Sequence, residues 1–171
     1  QALLLLQSNH LPEARTLLET LVKNFPSESS LWVLLSQTAF VQQDFTHALE
    51  AAQQAITLAP DNFEAEVSLQ RVLIRLGKNQ DALESLQNAR GKIEDAALDC
   101  LEMDIWLNQG KTEEAQKKMQ GCSHSEIPNL AEDSRANLAI ATNSADSSVV
   151  ESLGVDTVTH NYRAIQRMQA G

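Results

Sequence analysis

The strongest constraint on the fold is an internal repeat with a period of 34 residues. Pro26 and Pro60 are 34 positions apart and stand in similar surroundings, "KNFPSESSL" and "LAPDNFEAE". A set of alanines keeps the same period, with steps of 34, 34 and 33 residues: Ala14, Ala48, Ala82 and Ala115. A period of this length is typical of solenoids, in which each repeat is one supersecondary unit stacked on the next.

The pattern within one period predicts two helices joined by a turn. An apolar or small residue stands four positions after each alanine, and another stands three positions further on, so all three share one helical face. A turn precedes each alanine, and before it lies a second apolar run of about a dozen residues. We expect Gly77 and Gly110 to adopt left-handed backbone in these turns. Pro60 then separates one helix pair from the next, since proline cannot continue a helix.

These residues resemble the tetratricopeptide repeat family. The match is most specific in residues 30–63, at Trp32, Leu35, Ser36, Phe45, Ala48, Ala55 and Pro60. The following repeat departs from the family pattern, with Glu66 in place of the aromatic residue and Glu94 in place of the proline. The resemblance implies an all-α fold, a right-handed superhelical solenoid of antiparallel helix pairs.

On this frame the tetratricopeptide-like repeats occupy residues 1–122. They divide into a half repeat at 1–29 and three repeats at 30–63, 64–96 and 97–122. Residues 123–171 form a divergent helical tail, and we expect its last helix to cap the exposed end of the stack. The alternative, which the sequence leaves open, is that residues 155–171 fold back into the groove of the array.

Composition and charge exclude several classes of partner. The 171 residues are 43% hydrophobic and 21% charged, which is typical of a soluble globular chain. The formal net charge of −10 repels phosphate backbones, so we expect no binding to nucleic acid. The apolar run at residues 2–6 is too short to span a bilayer, and we expect no membrane insertion by this segment. A homo-oligomer remains possible, and the compartment stays open, with the cytoplasm slightly favoured over the periplasm.

No catalytic, cofactor or metal motif is present in the sequence. Phosphate-binding loops, dinucleotide fingerprints, nucleophile elbows and paired zinc ligands are all missing. Cys100 and Cys122 fall on paired helices, and the sequence leaves open whether they form a disulfide. The acidic run from Glu94 to Asp104 is interpreted as a solvated helix face. We therefore expect a protein without enzymatic activity, metal or cofactor.

The resemblance implies that the first helix of each pair lines a concave groove that holds a protein or peptide. The candidate binding residues on this side are Val33, Gln37, Phe40, Val67, Arg71, Ile74, Arg75, Leu107 and Asn108. Arg71, Arg75 and Lys78 share one helical face and form a basic stripe. The interpretation we favour is that these bases pair with acids of neighbouring helices; the alternative is that they hold a carboxylate of a partner.

Sequence alone thus predicts a protein–protein interaction scaffold that binds a peptide or partner helix in its groove. A second hypothesis is that the chain is the regulatory or substrate-presenting arm of a larger enzyme. In that case the catalytic domain lies outside these residues.

Overall fold

The computed structural model describes Leu5, residues 10–127 and residues 129–142. These residues form α-helices and no β-strand, apart from an isolated bridge between Arg90 and Ile93. The helices are α1 (Leu11–Asn24), α2 (Ser29–Val41), α3 (Phe45–Leu58), α4 (Phe63–Arg75), α5 (Asn79–Ala89), α6 (Asp95–Asn108), α7 (Thr112–Cys122) and α8 (Leu130–Ala141). The predicted capping helix at residues 155–171 lies outside the described residues.

The chain divides into two compact units, Gln1–Ile93 and Glu94–Gly171. In the first unit, each of the helices α1 to α5 packs against the next, and α2 also packs against α4. In the second unit, α6, α7 and α8 all pack against one another. The predicted repeat boundaries and the start of the tail at residue 123 stay predictions.

Short turns join the two helices of each pair, as the sequence predicted. Gly77 and Gly110 both have φ of +71°, which confirms the left-handed backbone expected there. Gln43 takes the same place in the preceding pair with φ of +62°, although it has a side chain. Two of the helices that follow turns or breaks begin with side-chain caps: Asp44 accepts a hydrogen bond from the His47 amide at 3.3 Å, and Asn62 accepts one from the Ala65 amide at 3.2 Å.

The repeated small residues form the interior of each helix pair. All four alanines of the 34-residue period are fully buried, which confirms the face predicted for the second helices: Ala14, Ala48, Ala82 and Ala115. Ser36 of α2 has a small side chain and lies close to α3. Its hydroxyl group donates a hydrogen bond of 2.9 Å to the Ala48 carbonyl oxygen. Trp32 is half-buried, and its indole N–H donates to the Pro26 carbonyl at 2.9 Å. The turn at Pro26 is thereby tied to α2.

A disulfide joins α6 and α7 in the second unit. Cys100 and Cys122 are both fully buried, and their Cα atoms are 4.6 Å apart. Of the alternatives left open by the sequence, the structure therefore has the disulfide. The bridge lies in a core that also contains Met103 and Ala115.

The expectation of a solvated acidic face on α6 is wrong for two of its residues. Glu102 is only 8% exposed, and its carboxylate lies 2.8 Å from the Lys118 ammonium of α7. Asp99 lies 3.4 Å from the same ammonium. The close packing of α7 covers this side of α6, and one lysine of α7 contacts both carboxylates. A single sequence segment could not show this pairing, because the lysine belongs to the next helix.

Candidate functional site

The candidate binding residues fall on three helices and in both units. Val33, Gln37 and Phe40 lie on α2, four further residues lie on α4, and Leu107 and Asn108 end α6. Because α2 and α4 pack directly against each other, their residues belong to one surface, whereas those of α6 belong to the second unit. The candidate residues on α2 and α4, without Val33, are called the α2–α4 face: Gln37, Phe40, Val67, Arg71, Ile74 and Arg75.

Val33 differs from the other residues of α2 because it is part of the packed interior. It is 2% exposed and contacts Ala55 and Ala65 in a core cluster shared by α2, α3 and α4. Gln37, Arg71 and Arg75 are exposed, whereas Phe40, Val67 and Ile74 are half-buried. The α2–α4 face thus combines apolar surface with two exposed guanidinium groups.

Phe45 brings α2 and α4 together at one end of this face. Its ring lies 5.5 Å from that of Phe40 in an edge-to-face arrangement. The guanidinium carbon of Arg75 lies 5.5 Å from the centre of the Phe45 ring, within cation–π range. Gln37 lies one helical turn before Phe40, and Arg71 one turn before Arg75, so these side chains share the same sides of their helices.

Sequence reasoning placed Phe45 only in the repeat pattern and missed its role beside the basic residues. The available signal was its position as the first residue of α3, directly after the turn that ends α2. A large aromatic residue there reaches back over the preceding helix end. Val41, at the end of α2, adds to the apolar surface and is 60% exposed.

Of the three residues of the basic stripe, only Lys78 has an ion pair with an acid among the residues that the structure describes. Arg75 lies over Phe45, and Arg71 has no acidic partner among the residues that the structure describes. Lys78 comes no closer than 4.0 Å to the carboxylate of Asp81, and that pair is half exposed. The interpretation is therefore wrong for Arg71, whereas Lys78 does approach an acid of α5.

A separate ionic network ties α1 to the start of α3. The Arg15 guanidinium contacts the carboxylates of Glu19 and Asp44, each at 2.9 Å. Burial alone would raise the pKa of Asp44, but hydrogen bonds from Arg15 and His47 outweigh it and hold that pKa below its ordinary value. The hydrogen bond to Glu19, together with Asp44, raises the pKa of Arg15 above its ordinary value. This network was not found from the sequence, because its members are separated by a whole helix.

The described part of the chain contains no group of three or more histidine, cysteine, aspartate or glutamate side chains arranged to hold a metal ion. His124, the histidine nearest the cysteine pair in sequence, is exposed, and its ring Nδ1 lies 2.7 Å from the Gln120 carbonyl oxygen. Within the same residues, no helix combines the length and the apolar character needed to cross a bilayer.

The family model for the tetratricopeptide repeat matches residues 1–63, which include α1, α2 and α3. Residues 1–63 thus carry the tetratricopeptide repeat. Its fold is similar to that of a thermophilic tetratricopeptide-repeat protein of Thermus thermophilus, with a TM-score of 0.73 and 18% sequence identity over 95% of this chain and 94% of that one. It is also similar to YrrB, described as a tetratricopeptide-repeat protein with an unusual peptide-binding site, with a TM-score of 0.57 and 16% identity over 95% of this chain and 88% of that one. Among curated proteins, none matches this sequence.

These similarities confirm the predicted fold class, an all-α tetratricopeptide-like solenoid of antiparallel helix pairs. The right-handed twist of the solenoid stays a prediction. Tetratricopeptide repeats are typical of proteins that bind other proteins, which supports an interaction function in general terms.

Proposed function

We propose that this tetratricopeptide-repeat chain is a non-catalytic scaffold that binds a protein or peptide at the α2–α4 face. The main support is the exposed Arg71, a cation without an acidic partner in the described residues, next to apolar side chains of the same face. The chain as a whole has a formal charge of −10, so this face is a local exception to its acidic character. YrrB, which shares the fold, is described as having a peptide-binding site, and this adds support from the fold.

The chemistry of the α2–α4 face favours a partner segment with a carboxylate close to an apolar side chain. A guanidinium donates two parallel hydrogen bonds to a carboxylate, and Arg71 is free to do so. Phe40, Val67 and Ile74 supply half-buried apolar surface for the neighbouring side chain of the partner. Val33 lies beneath this surface, and its part is to support α2. The participation of Leu107 and Asn108 stays a prediction from the sequence.

The proposal is tested by selecting peptides from a random library on the wild-type chain and measuring their affinities by fluorescence anisotropy. We expect the selected peptides to contain an acidic residue or a free C-terminus beside an apolar residue. Arg71→Ala is expected to weaken their binding at least about tenfold, because hydrogen bonds to charged groups contribute roughly 1.5–3 kcal/mol. Phe40→Ala is expected to weaken it as well. Higher salt should reduce the affinity of the wild type, since exposed charge pairs are screened.

Lys117→Ala is the matched control, because Lys117 is an exposed cation on α7 in the second unit. It removes one positive charge from a helix that does not belong to the α2–α4 face, and we expect no change in affinity. Circular dichroism of each variant verifies that the helices are intact. Selected peptides that bind Arg71→Ala and Phe40→Ala as tightly as the wild type would overturn the proposal.

A further inference from the structure

Two clefts in the first unit occupy equivalent positions, one repeat apart. The first, of about 360 Å³, opens between α1 and α3, and the second, of about 260 Å³, opens between α3 and α5. We call them the upstream and downstream clefts. Eight of the nine residues that line the upstream cleft have a counterpart 34 positions later in the lining of the downstream cleft, and Lys23 is the exception. The clefts are thus one structural feature that the repeat generates twice.

The chemistry of the two clefts differs at their counterpart positions. Trp32 lines the upstream cleft, and Glu66 takes its place downstream. Ala51 upstream becomes Ser85 downstream. The two changes are linked, because the Ser85 hydroxyl donates a hydrogen bond of 2.8 Å to Glu66 Oε1. The downstream cleft therefore contains a carboxylate together with a donor that positions it.

Glu66 is buried without a compensating cation. The residue is 1% exposed, and its second hydrogen-bond donor is the Gln70 amide, 2.5 Å from the same Oε1. Both donors are neutral, and Glu66 has no ion pair among the residues that the structure describes. Burying an unpaired carboxylate is costly, and buried charges in proteins are normally paired. Oε2 receives no hydrogen bond from the described residues, so the carboxylate retains capacity for a further donor.

The walls of the downstream cleft supply no cation at the place where the upstream cleft has one. Arg15 lines the upstream cleft and is held there by Glu19 and Asp44, but its counterpart is Leu49. Two lysines do line the downstream cleft, against the three acids Glu66, Asp81 and Glu84, which leaves a formal charge of −1. One of these lysines, Lys78, is half exposed and directed toward Asp81 at 4.0 Å.

We propose that the downstream cleft binds the guanidinium group of an arginine side chain from a protein partner. A guanidinium has only donors and is weakly hydrated, so it suits a buried carboxylate with free acceptor capacity. The methylene groups of the arginine would lie along the apolar lining formed by Leu49, Leu69 and Leu73. The cleft volume of about 260 Å³ far exceeds the roughly 10–15 Å³ that one water molecule needs, so there is room for a side chain.

This site shares no residue with the α2–α4 face and does not depend on the function proposed for it. The preceding repeat cannot offer the same site, because Trp32 replaces the carboxylate and Arg15 would repel a second guanidinium. Cation binding is therefore expected in the downstream cleft and not in its upstream equivalent.

The test uses two small probes, N-acetylarginine methylamide and its neutral isostere N-acetylcitrulline methylamide. Each is titrated into the intact, ¹⁵N-labelled chain, and the amide chemical shifts are followed by NMR. We expect the arginine probe to produce saturable shifts at Leu69 and Ser85 and to bind at least about tenfold more tightly than the citrulline probe, as for a hydrogen bond to a charged group. Equal affinities for the two probes, or shifts confined to other parts of the chain, would overturn the proposal.

Two variants then test whether the buried carboxylate of Glu66 is responsible for the binding of the arginine probe. Glu66→Gln preserves the shape of the side chain and an oxygen for Ser85, and we expect it to lose at least about tenfold in affinity for the arginine probe. Glu84→Gln removes an exposed charge of the same sign in the same cleft, and we expect less than about a threefold change. If both variants reduce binding equally, the cleft attracts cations only through its general charge and the proposal is wrong. Arg71→Ala should leave probe binding unchanged, so that this proposal and the proposed function fail separately.

Discussion

The repeat places one residue with left-handed backbone in the turn between paired helices. Gly77 and Gly110 occupy left-handed backbone there, and Gln43 occupies the same region in the preceding pair. Left-handed backbone is unfavourable for a residue with a Cβ, because the Cβ approaches the following carbonyl oxygen. The repeat register thus identifies Gln43 as a strained position.

We expect Gln43→Gly to stabilise the chain by about 0.5–1 kcal/mol. The substitution relieves the backbone strain, but part of this gain is offset because glycine loses more conformational entropy on folding. Gly77→Ala is the reciprocal change and should destabilise by roughly 1 kcal/mol. A Cβ at Gly77 meets no atom within 4 Å, so backbone strain alone would account for the loss. Urea denaturation measures both free energies of unfolding. A Gln43→Gly variant no more stable than the wild type would contradict the prediction.

We expect Asp44 to make the stability of the first unit depend on pH. Its pKa is below the ordinary value in the folded state, so its contribution is fully present above the unfolded pKa of about 3.9 and is lost as the pH falls through the lower folded pKa. Asp44→Asn keeps a good N-cap but removes the charge that Arg15 contacts. We expect the wild type to be more stable than Asp44→Asn at about pH 7, and this difference to shrink at about pH 3. A difference in urea-unfolding free energy that is the same at both pH values would refute this assignment.

At the scale of helices, the packing of α6 against α7 depends on a glycine within α7. A Cβ on Gly121 would overlap the carboxylate of Asp99 and would lie 3.0 Å from the carboxyl carbon. Asp99 is held in place by Lys118, so it cannot move away without loosening that contact. Nothing in the sequence alone indicated a close approach at Gly121.

Gly121→Ala should therefore destabilise the chain by about 1–3 kcal/mol, as overpacking does, although alanine is the better helix former. The exposed neighbour Gln120→Ala serves as the control and should be nearly neutral. Adding Asp99→Ala to Gly121→Ala should recover part of the loss, since the overlapping oxygen is then absent. Thermal unfolding followed by circular dichroism measures these effects. A stabilised Gly121→Ala variant would show that Asp99 moves aside freely.

The helices were predictable because every repeat has the same local requirements. A buried alanine at Ala48 and a left-handed glycine at Gly77 each follow from the residue type and its place in the period. The contacts of the two candidate sites were not predictable in this way. Arg75 meets Phe45 only through the packing of α4 on α3, and Glu66 meets Ser85 only through that of α5 on α4. Departures from the repeat were the available signal: Glu66 stands where the family pattern has an aromatic residue.

At the scale of the whole molecule, we expect the disulfide to stabilise mainly the unit that contains it. Cys100 and Cys122 both belong to the second unit, and no other cysteine exists in the chain. In repeat proteins, stability is close to a sum of local terms, so a local covalent bond acts mainly on its own unit. Each unit also contains one of the two tryptophans, Trp32 in the first and Trp106 in the second. Single-tryptophan variants can therefore report on each unit alone.

In the Trp32→Phe variant, Trp106 reports on the second unit. We expect dithiothreitol to lower the free energy of unfolding measured there by about 3 kcal/mol, because this is the chain-entropy contribution of a disulfide that closes a loop of about 22 residues. The stability reported by Trp32 in the Trp106→Phe variant should change little. Urea unfolding followed by tryptophan fluorescence, with and without the reductant, measures both values. Replacing both cysteines by serine is the control, and it should abolish the response to the reductant. Equal shifts at the two tryptophans would mean that the units unfold as a single cooperative structure, and the local account of the disulfide would then be wrong.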